Sequence, residues 1–109
     1  MIIFDSSPLI HLTKIGKLEF IFELFQDVAI SESVYYEVIK QGRKKGFSDA
    51  EIIASHIEEH KIKIMKAQEQ VPSLKAYLHQ GEYESIILAK NNNALLIIDE
   101  KKGKNVAEQ

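Results

Sequence analysis

Two short apolar runs that end abruptly in acid restrict this chain more than any other feature. Ile2-Ile3-Phe4 runs into Asp5, and Leu95-Leu96-Ile97-Ile98 runs into Asp99-Glu100. Runs this short, unbroken and rich in β-branched residues read as strands buried on both faces, as in a parallel sheet covered by helices. Val28-Ala29-Ile30 and Ile62-Lys63-Ile64 are weaker candidates of the same kind. Between these runs the apolar spacing becomes helical. Pro8 to Ile15 reads as a helix capped by Ser6 or Ser7 and stopped at Gly16. Leu18, Ile21, Phe22 and Phe25 share one helix face. A third helix runs from Val34 to about Lys45, entered from Ser31 or Ser33. Ser48-Asp49-Ala50-Glu51 has the form of a capping box ahead of Ile52, Ile53 and Ile57, and Tyr83, Ile86, Ile87 and Lys90 mark a last helix after Gly81. Helices alternating with buried strands predict an α/β fold.

With 109 residues, the expectation is one domain spanning 1–109. Hydrophobic residues make up 45% and charged residues 28%, the balance of a folded chain rather than a disordered one. The absence of cysteine excludes disulfides, thiolate zinc sites and a thiol nucleophile, and fits a reducing compartment. Asp5 arrives too early for a signal peptide, and no apolar run nears the ~20 residues of a membrane span, so a cytoplasmic protein is expected. A net charge of −2 provides no global field for nucleic acid. Cations do cluster locally, at Lys40, Arg43, Lys44 and Lys45 and again at Lys101, Lys102 and Lys104. Phosphate loops, dinucleotide fingerprints and a Gly-x-Ser-x-Gly elbow are missing.

Ligands of parallel sheets gather at the carboxyl ends of the strands, where Asp5 and Asp99 both stand. If their strands are neighbours, the two carboxylates share one cleft. Charges ~4 Å apart repel by roughly 4 kcal/mol at an effective dielectric of 20, so converging acids require protons or divalent cations. Hard oxygen ligands without cysteine select Mg²⁺ or Mn²⁺, and the chemistry such a site serves is usually phosphodiester hydrolysis.

The run Asp5-Ser6-Ser7-Pro8-Leu9-Ile10, followed by Leu12, Lys14, Ile15, Gly16 and Leu18, resembles the opening of small prokaryotic PIN-domain proteins. Three later segments agree in order: Ile30 to Glu37, Gly81 to Ile86, and Ile98 to Lys104. The resemblance implies a three-layer α/β/α fold with a short parallel sheet of about four strands, ordered 3-2-1-4. It also implies a Mg²⁺- or Mn²⁺-dependent ribonuclease, frequently the toxin of a toxin–antitoxin pair, with RNA as substrate and an antitoxin as partner. The family's acids fall on Asp5, Glu37, Glu82 or Glu84, and Asp99. Asp5, Asp99 and Glu82 would hold metal, Glu37 would complete the cluster, and Ser6 or Ser7 would orient Asp5. Glu82 is preferred because it directly follows Gly81; Glu84 is its alternate, and Glu100 is that of Asp99. Arg43, Lys44, Lys101 and Lys102 are candidates to touch RNA phosphates.

Each assignment has a plainer counterpart. Asp5 suits a helix cap, Glu37 an exposed helical face, and the lysines a solvated surface. The sequence departs from the family pattern in carrying Ile97 where many relatives have Thr or Ser, and in stopping at Gln109, short of a further strand and helix. An apolar edge left at Leu95–Ile98 would favour a homo-oligomer. These departures support the alternative of a non-catalytic PIN-like module that binds RNA or protein. A more remote alternative is a zinc peptidase, from the H-x-x-E-H pattern of His56, Glu59 and His60. An amphipathic helix over this stretch instead leaves both histidines near its polar face.

Overall fold

Strand β1, Ile2–Phe4, sits inside the sheet with β2 (Val28–Ser31) on one side and β4 (Leu95–Ile97) on the other. A computed structural model describes residues 1–68 and 80–98 of the chain. β3 (Lys63–Met65) flanks β2, so the sheet order is 3-2-1-4, with every pairing parallel. Ile2 pairs with Val28 and Leu95, and Phe4 with Ile97. Both β1 and β2 are fully buried, as unbroken apolar runs require when helices cover both faces.

Alternation along the strands divides the interior into two cores. Ile2, Phe4, Val28 and Ile30 point to a large core. It is completed by Leu9 of α1 (Ser6–Lys14), Leu18 of α2 (Leu18–Leu24), and Ile53 of α5 (Ser48–Glu58). Ile3 and Ala29 point the other way, onto Leu88 and Ala89 of α6 (Gln80–Asn92). The result is three layers, with α6 alone on one face among the described residues. Packed against α3, β1, β2 and β4, α6 buries residues on most of its circumference and lacks a polar stripe over that length.

The third predicted helix is one continuous rod with a change of register inside it. α3 (Glu32–Tyr35) leads into a π-helical segment, Tyr36–Gln41, and then into α4 (Gly42–Lys44). Of the two candidate caps it is Ser31 that serves, its side chain accepting from the Val34 N–H at 3.1 Å. Gly42 lets the rod lie close to α5: a Cβ there would stand 3.0 Å from the Ala50 Cβ.

Four local expectations are corrected. Neither Ser6 nor Ser7 caps α1, because the helix already includes both and Asp5 occupies the cap position. The capping box at Ser48 does not form. α5 begins at Ser48 behind Phe47, and Glu51 turns to Arg43, which grips it through Nε at 2.9 Å and Nη2 at 3.0 Å. A charged fork on a carboxylate is the stronger attachment, and the close α4–α5 packing brings it within reach. Gly81 lies inside α6 rather than ahead of it. Finally, β4 is not buried on both faces: Leu95 is 54% exposed, because among the described residues β4 is an edge of the sheet.

Burial along β1 and β4 predicts opposite sensitivities. Phe4→Ala should cost about 3–5 kcal/mol of stability, and Leu95→Ala less than about 1 kcal/mol, measured as shifts in the urea unfolding midpoint.

Candidate active site

The carboxyl end of β1 meets the start of α1 with no intervening loop, and Asp5 is the residue at the junction. Its N–H donates to the Ile97 carbonyl at 2.9 Å, carrying the parallel ladder one residue past the strand. Asp5 is only 2% exposed, and its side chain makes no capping hydrogen bond to α1. The plain role of helix cap therefore does not account for this carboxylate. The N-terminus of α1 still favours a negative charge there.

Glu37 reaches the same place from the π-helical segment. The Ser6 hydroxyl donates to its Oε2 at 2.8 Å, across 31 positions of sequence. That hydroxyl has one proton, and Glu37 accepts it. Ser7 is exposed.

Gly81 shows how near the two acids are. A Cβ placed on it would lie 2.7 Å from Glu37 Oε1 and 3.6 Å from Asp5 Oδ1. Both carboxylates therefore border one point beside the α6 backbone. Unit charges ~6 Å apart repel by roughly 3 kcal/mol at an effective dielectric of 20, so such a pair favours a cation between or beside its members. Glu82, the next residue of α6, is 6% exposed.

Glu84 has a different occupation. Its Oε1 accepts from the Ser33 N–H at 3.2 Å, and its Oε2 accepts from the Ser33 hydroxyl at 2.6 Å and Gln80 Nε2 at 2.7 Å. Burial works against its ionised form, but hydrogen bonds from Ser33 and Gln80 prevail and hold its carboxyl below the ordinary glutamate value. Ser31 and Glu84 thus satisfy two of the free N–H groups that open α3, one locally and one from α6.

Three clefts surround the π-helical segment. One of about 580 Å³ is lined by Glu32, Ser33, Glu37, Gln80 and Glu84, with Tyr36 and Gln41 at its border. A second, about 320 Å³, has Glu37 on its wall with Ile10, Lys14 and Phe47. A third, about 270 Å³, is lined by Tyr36, Lys40, Gln41, Lys44 and Lys45. Glu37 thus faces open space on two sides.

The remaining predicted residues separate clearly. Arg43 is held by Glu51, and Lys44 is exposed. Asp99, Glu100, Lys101 and Lys102 lie outside the described residues. Among the described residues no group of three or more His, Asp or Glu side chains is arranged to hold a metal ion. The zinc pattern is not assembled either. α5 ends at Glu58, and His60 lies beyond it with φ 63°, while the His56 side chain is 11% exposed and packs edge-on against Phe22, 4.9 Å between centroids. His56 is thus not on a polar face as expected, because Phe22 of α2 covers it.

Sequence reading missed the steric role of Gly81 and the capping role of Glu84. The signal for the first was a glycine within a helical period, directly before two acids. For the second there was none, since Ser33 and Glu84 are 51 positions apart.

A family model described as a PIN domain matches residues 1–109. No match was found among curated proteins or among solved structures. Among the described residues no helix is long and apolar enough to cross a membrane.

Two outcomes test this geometry. Gly81→Ala should displace the Glu37 carboxylate from Ser6 while leaving folding stability within about 1 kcal/mol, since alanine favours the helix. Mn²⁺ binding that falls with an unchanged melting temperature would show this. Glu84→Ala should cost about 1–2 kcal/mol at neutral pH. The Glu84 carboxyl is depressed in the folded state, so its contribution is complete above the ordinary glutamate value. It disappears as pH falls through the depressed one. Urea unfolding of wild type and variant should therefore converge toward acid pH.

Proposed function

The chain belongs to the PIN-domain family, whose members are generally nucleases that use divalent metals, and from this premise we propose that it is a Mg²⁺- or Mn²⁺-dependent endoribonuclease. The observation that carries the reading is the convergence of Asp5 and Glu37 on one point beside Gly81, at the carboxyl end of β1. β4 is the parallel neighbour of β1, and in the sequence Asp99 follows Ile97 by two positions. In this proposal Asp5 and Asp99 are the principal ligands, and Glu82, the buried acid next to Gly81, completes the set with Glu37. Glu84 is left out because its carboxylate is engaged at the start of α3.

The described residues suit a hard divalent cation in kind, being carboxylates with no soft donor among them. When bound, such a cation supplies the positive charge that lets these acids remain ionised together and that polarises a scissile phosphodiester. The chain's own residues perform the rest. Asp5, nearly without solvent, fixes the centre to the rigid end of β1. Glu37, steadied by Ser6 and open to two clefts, is placed to take a proton from water attacking phosphorus. Water adds across one P–O bond, yielding a phosphate end and a hydroxyl end.

A toxin role held in check by an antitoxin belongs to the same proposal, as does self-association, which the exposed Leu95 on the described edge of the sheet supports. A second reading, a PIN-like module that binds without cutting, is favoured by one observation: only two acids are seen to converge among the described residues. Calorimetric titration of Mn²⁺ into metal-free protein, followed by RNA cleavage assays, separates the two. Saturable binding should weaken at least about tenfold in Asp5→Asn, and cleavage should fall roughly a hundredfold or more. Cleavage that persists in rigorously purified Asp5→Asn would sink the nuclease reading for this site.

A further inference from the structure

Four of the cations among the described residues face acids. Lys14 faces Asp49, Arg43 is gripped by Glu51, Lys61 faces Glu19 and Lys63 faces Asp27. Lys40, Lys44 and Lys45 stand apart from these as a group. They make no ion pair with a described residue, yet they converge on the walls of one cleft. Three uncompensated ammonium groups repel one another, and an anion placed among them relieves that repulsion.

The same cleft has an aromatic wall. Tyr36 is 57% exposed and lies one residue from Glu37. Lys40 stands 5.8 Å from the centroid of the neighbouring Tyr35 ring. Tyr36 and Gln41 border both this basic cleft and the one that contains Glu37, so a ligand can continue from one into the other. A ring open to stacking beside a row of lysines matches a nucleic-acid strand with an accessible base and closely spaced phosphates.

We propose that the strand flanking the cleaved bond crosses the π-helical segment here, with its phosphates on Lys40, Lys44 and Lys45 and a base on Tyr36. The proposal rests on the nuclease reading for the identity of the site, but it concerns binding alone. It also relocates the phosphate contacts: Arg43, an obvious candidate in sequence, is committed to Glu51, while Lys40 and Lys45 join Lys44.

Fluorescence anisotropy with a labelled single-stranded RNA, in EDTA so that no cutting occurs, tests this across a range of salt. Lys40→Gln/Lys44→Gln/Lys45→Gln should reduce the slope of log K against log salt by about 2, for three phosphates at roughly 0.7 each. Tyr36→Ala should weaken binding about tenfold, whereas Tyr36→Phe, which keeps the ring, should bind as wild type does. Lys17→Gln/Lys61→Gln, on the α2 side of the molecule, should leave both affinity and slope unchanged. An unchanged slope in the triple variant overturns the proposal. So does a wild-type protein that fails to bind the RNA at low salt, which would leave the basic cleft to an acidic protein surface. Wild type that binds with these dependences but never cuts in Mn²⁺ keeps the strand path and removes the nuclease.

Discussion

Ile2, Ile3 and Phe4 have no solvent on either face and no free sheet edge, and the rest of the molecule is arranged around that condition. A strand enclosed on four sides can meet polar chemistry only at its ends. Its carboxyl end is where the chain turns directly into α1, so Asp5 is buried by position rather than by any affinity of a carboxylate for the interior. The bond from the Asp5 N–H to the Ile97 carbonyl then fixes the end of β4 alongside. The backbone ladder of the parallel sheet thus sets where Asp5 stands.

The other half of the site hangs on a few contacts between distant segments. Ser6 ties the start of α1 to Glu37, and Glu84 ties α6 to the start of α3. Between these attachments α6 passes so near Glu37 that a side chain at Gly81 would push the carboxylate aside. Each tie uses a carboxylate as acceptor, and in neither case is a cation the donor. Hydroxyl and amide donors hold these acids in place without neutralising them. That distinction separates the interior acids from Glu51, whose charge is cancelled outright by Arg43 at the surface.

The parts legible in sequence were those governed by burial. Ile2-Ile3-Phe4 and Val28-Ala29-Ile30 could hardly be anything but interior parallel strands, and Asp5, which ends the first, stands at the carboxyl end of the sheet as expected. The order 3-2-1-4 came with the family resemblance and matches the structure. Local patterns failed where tertiary packing supplied a stronger partner. Ser48 and Glu51 have the spacing of a capping box, but Gly42 lets α4 approach α5 until Arg43 takes the carboxylate. His56 has the spacing of a zinc ligand, but Phe22 claims its ring, and the helix stops before His60. Leu95 has the composition of a strand residue buried on both faces, yet the apolar edge expected at Leu95–Ile98 is what the described sheet has. For Asp99, Glu100, Lys101 and Lys102 the sequence remains the sole source of argument.

The change of register at Tyr36–Gln41 was invisible in the sequence, because it does not alter which residues are apolar. Its consequence lies in what becomes neighbours. With bonds closing from i to i+5, Gln41 rather than Lys40 comes to stand over Tyr36. This agrees with Gln41 bordering all three clefts around the segment. One turn of chain thereby presents Glu37 toward Asp5 and Gly81, and Tyr36 with the lysines toward solvent. An overall charge of −2 hides this arrangement, because a sum over the chain does not separate Asp5 and Glu37 beside Gly81 from Lys40, Lys44 and Lys45 at the outer cleft. For a polyanionic substrate the separation is what counts. On the proposed strand path, the outer lysines would attract phosphate that the inner carboxylates, without a cation, would repel.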